Sequence, residues 1–411
     1  MRSVKGAATA ATAETAPGGT PGGSVPGLTA LLTTAMAFSM MQLFLIGALG
    51  PRLVDRLGVS ETLLGLTTTV GFGTAAVLSP AGGRIVDRVG PRRALVALLG
   101  ASAGALALIG AAPGPALLLV AVALGGLPQA LANPATNKAI LAAVPAPRRG
   151  AVTGTKQSGV QLGAFAAGLP LAAVAGAIGW RGAVWVAAGA SLLAAVWAWR
   201  ALPADAPPKG GVALRAPSRA GGPVRWLAAF SLFLGAGIAS VNTYLSLFGA
   251  QRLGMGPAVA GALVAVLGLA GIAGRVGWSR AATPGRAPWL PGLLAGGAVA
   301  AALLLAAALR AEPLVWVAAV AVGVFAVSGN AVSMVLVMQR AEPGRAGRDS
   351  ALVAAGFFAG FALGPPLFGM LAERGRYGQG WILVAVEFAV AAAVALVWAL
   401  RERRTSAGAQ A

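Results

Sequence analysis

Long apolar runs make up most of this chain, and polar residues fall in short clusters between them. A helix needs about 20 apolar residues to cross ~30 Å of hydrocarbon. Charges and Pro/Gly breaks bound the runs. They predict spans between Pro26 and Arg52, between Glu61 and Arg84, from near Gly150 to near Trp180, and over 182–199. The uncharged stretch 94–137 is too long for one helix, and Ala-Pro-Gly-Pro at 112–115 divides it into a third and a fourth span. Residues 203–224 are rich in proline, glycine and basic side chains and read as a linker. Six more spans follow at 226–249, 257–279, 288–309, 313–338, 350–372 and 380–400. The expectation is an all-α, polytopic membrane protein of twelve transmembrane helices. A six-helix bundle over 28–202 and a second over 225–401 flank the linker. Residues 1–27, dominated by Ala, Gly, Thr and Pro, predict a disordered tail without the compact apolar core of a signal peptide. Residues 402–411 form a second tail.

Composition sharpens this picture. The chain is 57% hydrophobic and only 10% charged, with a mean hydropathy of +0.80. A soluble fold could not hide that much apolar surface. A net charge of +20 would ordinarily suggest nucleic acid. Here the basic residues cluster between spans, which suits the anionic cytoplasmic face of a bilayer and argues against a nucleic-acid partner. An even number of spans puts both tails on one side. Most of the 31 Lys and Arg fall in the tails and loops of that side, while the opposite loops hold Arg52, Arg56, Arg181, Arg252, Arg310, Arg374 and Arg376. Lys138 and Lys156 alone are assigned to helix interiors. The tails and the linker are therefore expected in the cytoplasm, and the protein in the plasma membrane. With no Cys and no His, the chain lacks disulfides, thiolates and the commonest general base. It has no intramembrane carboxylate pair and no P-loop pattern. Enzyme chemistry, a metal site and a cofactor are not expected.

The two halves resemble each other. A shift of 201 residues lays Gly159 and Gly163 on Gly360 and Gly364, Gly179-Trp180 on Gly380-Trp381, and Trp197 and Arg200 on Trp398 and Arg401. A shift of 196 lays Gly65 on Gly261 and Arg84 on Arg280. Two parallel repeats imply a pseudo-two-fold axis along the membrane normal, with a cavity between the halves.

The loop between the second and third spans reads Gly-Gly-Arg-Ile-Val-Asp-Arg-Val-Gly-Pro-Arg-Arg over 82–93. With the 6+6 repeat, it resembles the major facilitator superfamily, whose motif at this place is G-x-x-x-D-R/K-x-G-x-R/K-R/K. Gly83, Asp87, Arg88, Gly90, Arg92 and Arg93 fill every position. Glycines there permit tight turns and close helix approach. The resemblance implies that Asp87 docks on the start of the eleventh span, near Ser350, and latches a cytoplasmic gate. The corresponding loop in the second half has Thr283 and Pro284 in place of the Asp-Arg pair, so the two gates are expected to be unequal. The family's antiporter motif in the fifth span is only partly kept, as Gly159, Gly163, Ala164, Ala167 and Gly168.

Polar side chains inside spans cost free energy unless they have work to do. Gln129, Asn133 and Asn137 recur every four residues in the fourth span, beside Lys138. Gln157 and Gln161 do so in the fifth, beside Lys156. Gln42 lies in the first span, Asn242 and Tyr244 in the seventh, and Asn330 in the tenth. In the family these helices line the cavity, so the set is the candidate substrate site; each Asn or Gln could equally be interhelical glue. Lys138 and Lys156 either snorkel to the cytoplasmic surface or form a cationic wall. Glu387, the only acid well inside a span, is a candidate proton carrier. The expected activity is secondary transport of a small polar organic solute, an anion among the candidates, by a monomer using alternating access, with protons as a candidate coupling ion. A proton-coupled efflux antiporter and a transporter-derived membrane sensor are the rivals.

Overall fold

The computed structural model describes residues 25–205, 222–281, 286, 288–340 and 346–408, and among these no strand occurs. The first half comprises α1 (Val25–Ala48), the short α2 (Gly50–Leu57), α3 (Glu61–Val89), α4 (Pro91–Ala111), α5 (Pro115–Leu124), α6 (Gly126–Ala143), α7 (Ala146–Gly168) and α8 (Pro170–Ala201). The second comprises α9 (Gly222–Arg252), α10 (Pro257–Ala281), α11 (Leu290–Ala307), α12 (Leu314–Ala321), a π-helical turn at Val322–Val327, α13 (Ser328–Arg340), α14 (Ala346–Glu373) and α15 (Tyr377–Gly408). Eleven stretches have the length and hydropathy of a membrane span. The crossing missing from these eleven begins with α7, made less apolar by Lys156, Gln157 and Gln161. The expected tails at 1–24 and 409–411, most of the linker, and Thr283 with Pro284 lie outside the described residues. Within the tail expected at 402–411, α15 continues as helix to Gly408.

Local chemistry sets the boundaries. Gly58 ends α2 in the left-handed region, and the Ser60 hydroxyl caps α3 by accepting from the Leu63 amide at 3.2 Å. Gly90 (φ 87°, ψ 162°) reverses the chain between α3 and α4, with Pro91 opening the new helix. Gly179 adopts the same backbone (φ 84°, ψ 162°) within α8. The fifth crossing is therefore α7 continued through the bend at Leu169 to Gly179, and the sixth is the remainder of α8. This matches the sequence boundary near Trp180.

Each half packs as a bundle, with α1 on α7, α4 on α8 and α3 on α6 in one, and α9 on α14 and α15 with α11 on α15 in the other. Two seams join them, α3 against α14 and α7 against α10, with α1 and α9 meeting between. Small residues bring the backbones together, as packing in lipid requires. A methyl group built at Gly159 would lie 2.1 Å from the Thr33 carbonyl oxygen, and one at Gly360 would lie 1.9 Å from that of Leu232. The Gly-xxx-Gly pairs at 159/163 and 360/364 thus press on the first helix of their own bundle, as the repeat implies. The other match fails. Gly179 is a turn, but Gly380 is helical, and the corresponding reversal uses Gly375 (φ 72°). Large apolar side chains such as Val77, Leu193, Ile178 and Trp185 point outward, as lipid-facing residues do.

The fourth and tenth crossings are both interrupted midway, by the break at Gly125 between α5 and α6 and by the π turn at Val322–Val327. Irregular backbone at membrane depth is tolerated where protein or a cavity covers it.

Candidate functional site: a cleft between two bundles

One end of the molecule carries the 83–93 motif and the other carries Glu61 and Glu373; these are called the motif end and the far end. At the far end the bundles are clasped. Tyr244 Oη donates to the Glu61 carbonyl at 2.6 Å, Gln251 Nε2 to Glu61 Oε1 at 3.0 Å, and Tyr377 Oη to Gln251 Oε1 at 2.6 Å. Thr62 pairs with Glu373. Deeper in, Thr69 donates to the Ala362 carbonyl at 2.6 Å, Ser246 to that of Ala48 at 3.0 Å, and the Thr68 and Thr243 hydroxyls meet at 3.1 Å. Phe72 packs on Phe361 with ring centroids 4.5 Å apart. Tyr244 stacks on Phe368 at 4.6 Å, so in this form it is part of the clasp. Asn242 is buried beside it, where a methyl on Gly47 would lie 2.1 Å from its carbonyl.

Among the described residues, contacts between the bundles thin out toward the motif end. Among the described residues, the inter-bundle hydrogen bond nearest that end runs from Arg275 Nη1 to the Gln157 carbonyl at 3.1 Å. Among the described residues no substantial packing joins α6 to α13. On α6 and α7, Asn133 and Gln157 are half-buried and Asn137 is exposed.

Two polar groups lie inside the first bundle. In the first, Gln42 enters the break at Gly125, where a methyl group would meet its Oε1 at 1.5 Å, and Nε2 reaches the Val122 carbonyl at 3.5 Å. Gln42 shares a cavity of about 10 Å³ with Thr67, Thr68 and Gln129, room for about one water. Gln42 Oε1 and both amide atoms of Gln129 are buried without a partner. In the second, Lys156 is wholly buried, and its Nζ donates to Thr136 Oγ1 and Asn137 Oδ1, each at 2.6 Å. Gln157 Nε2 donates to Asn133 Oδ1 at 3.2 Å. Gln161 lies against Gly271 of α10, its Oε1 unpartnered. The four-residue spacing did bring Asn133, Asn137, Lys156 and Gln157 together. It missed Arg275, which falls within the span predicted at 257–279 yet is left out of the helix-interior basic residues; the structure puts it inside α10. An arginine five residues short of its neighbour Arg280 was the available signal.

The two lysines separate. Lys138 extends to the motif end, where Nζ meets Asp87 Oδ1 at 3.1 Å and the Val86 carbonyl at 3.1 Å. Lys156 does not snorkel. Asp87 is thus engaged within its own bundle; the Ser350 side chain expected to receive it lies outside the described residues. Gly90 is explained by a contact the sequence did not suggest. A methyl there would lie 2.2 Å from Asp205 Cγ, and Asp205 accepts the Arg92 and Arg93 amides at 2.9 Å each, capping α4. Arg92 also donates to the Trp199 carbonyl at 2.9 Å and stacks on that indole at 4.1 Å. Gly83 has open space around it; the close approach belongs to Gly82, on the Ala130 carbonyl at 2.6 Å from a built methyl. Arg88 is exposed. Asn330 is half-buried on α13 with Oδ1 unpartnered, and Glu387 is buried on α15 with Oε2 unpartnered. Among the described residues no cluster of acids could hold a metal ion.

Comparison with known proteins agrees with this architecture. No curated protein matches the chain in sequence. Among solved structures, a bacterial homologue of the human lysosomal transporter Spinster, in an inward-facing and occupied conformation, superposes with a TM-score of 0.75 at 17% identity, covering 91% of this chain and 96% of its own. The nucleoside transporter NupG superposes with 0.72 at 12% identity, covering 90% and 99%. The human organic anion transporter MFSD10 gives 0.70 at 16%, covering 90% and 99%. The family model described as Major Facilitator Superfamily matches residues 31–353. The chain belongs to the Major Facilitator Superfamily, and is a membrane transporter rather than an enzyme.

Proposed function

We propose that this protein carries a small polar organic solute across the plasma membrane by alternating access, with the motif end in the cytoplasm and the solute held between Gln42, Gln129, Asn133, Asn137, Lys156 and Gln157. One observation carries the reading: the described bundles are clasped over the far half, and polar side chains of α6 and α7 face the half where contacts thin out. Such a form is loaded from the cytoplasmic side. Rocking about the α3–α14 and α7–α10 seams then exposes the same residues to the other side. Asp87 takes part by leaving Lys138 and docking on the start of α14 when the motif end closes. The bundles at 28–202 and 225–401 move as units about the linker at 203–224, and one chain suffices as a monomer. The distantly related neighbours are named for different cargoes, so they do not select one.

Proton-coupled efflux is a second reading, supported by Glu387, an unpartnered carboxyl oxygen buried in α15. Uptake and efflux in vesicles with an imposed ΔpH test both. Flux of a bound solute that depends on ΔpH in wild type and not in Glu387→Gln selects efflux with this carboxyl as carrier. Flux with unchanged ΔpH dependence in the variant removes Glu387 from the mechanism. A protein that binds solute but passes none in either direction contradicts transport and leaves the membrane-sensor reading.

A further inference from the structure

We infer that the solute is an anion, and that its carboxylate or phosphate is held between Lys156 of α7 and Arg275 of α10, where the two bundles meet. This rests on the transport reading above and names the substrate class for it. Lys156 is fully buried, yet the oxygens that hold it, Thr136 Oγ1 and Asn137 Oδ1, are both neutral. Arg275 comes from the opposite bundle and reaches the carbonyl of Gln157, the residue next to Lys156. Its Nε is buried with no partner. Among the described residues the ion pairs are Arg56 with Asp55 and Lys138 with Asp87; no carboxylate pairs with Lys156 or Arg275.

A cation inside a membrane protein ordinarily finds an acid, and one that does not marks a substrate or ion path. Here Arg275 stands on the α7–α10 seam, and the carbonyl it reaches is one residue from Lys156, whose ammonium is turned to α6 of its own bundle. Beside the arginine, Ser328 Oγ, buried and unpartnered, lies against Gly274, the residue before Arg275. Two unpartnered groups here can donate, the Arg275 Nε–H and the Ser328 hydroxyl, while Asn330 Oδ1 on the same helix as Ser328 is an unpartnered acceptor. An oxyanion satisfies both donors. The planar guanidinium suits a carboxylate or phosphate because it can donate two parallel hydrogen bonds, which an ammonium cannot. One turn farther out, Gln161 Oε1 is an unpartnered acceptor facing α10. It fits a hydroxyl or amide donor on the body of the solute. Because Arg275 spans the bundles, an anion seated there also links substrate binding to the seam that has to slide.

The test compares matched probes on the full-length protein in phosphatidylcholine nanodiscs: succinate against succinamide, and glycerol 3-phosphate against glycerol. The charged member of at least one pair should raise the melting midpoint and its neutral counterpart should not. Which pair responds separates carboxylate from phosphate recognition. Arg275→Lys, which keeps the charge and loses the fork, should weaken the response at least about tenfold. Arg275→Gln and Lys156→Met should abolish it while their unliganded midpoints stay near wild type. If the Gln variant does not fold, Arg275→Lys still decides. The proposal is overturned if no anion outperforms its neutral partner, or if the anion response persists undiminished in Arg275→Lys and Lys156→Met. A neutral probe that binds as well as its charged partner would sink the anion site while leaving transport intact; transport itself fails if a bound solute is passed in neither direction.

Discussion

The far end and the motif end are built from opposite chemistries, although pseudo-symmetry gives each the same helices. At the far end, Tyr244, Gln251 and threonine hydroxyls bond across the bundles over stacked rings, with Tyr377 bracing Gln251 from within the second bundle. At the motif end the described polar bonds stay within one bundle: Asp87 to Lys138, and Asp205 to the start of α4. A clasp of neutral donors is held by geometry and can be released without stranding charge. The charged motif is occupied locally, so it is free to change partners only by giving up an ion pair. On the alternating-access proposal, this difference would make the far end the closed gate of this form and the motif end the one awaiting a trigger.

The comparison can be broken most severely at Gly65. A methyl there would meet Tyr244 Oη at 2.5 Å and the Pro365 carbonyl at 2.6 Å. Gly65→Leu should prevent far-end closure at a cost of about 1–3 kcal/mol or more. Transport should fall to background, and a cysteine at Asp55 should label faster from outside. Asp205→Ala tests the other end. It removes two capping bonds and should cost about 0.5–2 kcal/mol in thermal unfolding, with far-end labelling unchanged. Gln251→Leu breaks two bonds of the clasp on an exposed side chain. It should shift the gate equilibrium by less than about 1 kcal/mol, read as a small rise in the same labelling rate. Thr68→Val removes the hydroxyl pair with Thr243 and should cost about 0.6 kcal/mol, the smallest effect of the four.

Much of the fold was written in the apolar runs, because lipid forces any crossing segment to be helical and nearly charge-free. The turn at Gly179 and the packing of Gly159 and Gly360 follow from glycine's lack of a side chain, which is visible in one dimension. The site was legible only in part. Fourfold spacing predicts a shared face, and it gathered Asn133, Asn137 and Gln157 around Lys156. Spacing says nothing of which helix faces that stripe, so neither the clasp made by Tyr244 nor Arg275 on the facing helix could be read from it. Asp205 was unreadable because its partner amides are more than a hundred residues away, and a cap reached through a linker has no local pattern.

The central claim is that the two ends open in turn. The chain has no native cysteine, so introduced pairs can be spin-labelled cleanly. Distances should be measured by electron–electron resonance for Asp55/Arg374 at the far end and Arg149/Arg280 at the motif end, with and without a bound solute. The account predicts a short, narrow far-end distance with a longer motif-end distance at rest, the two exchanging as the protein cycles. Two distances that rise and fall together, or a far end that stays short while solute crosses, would contradict it.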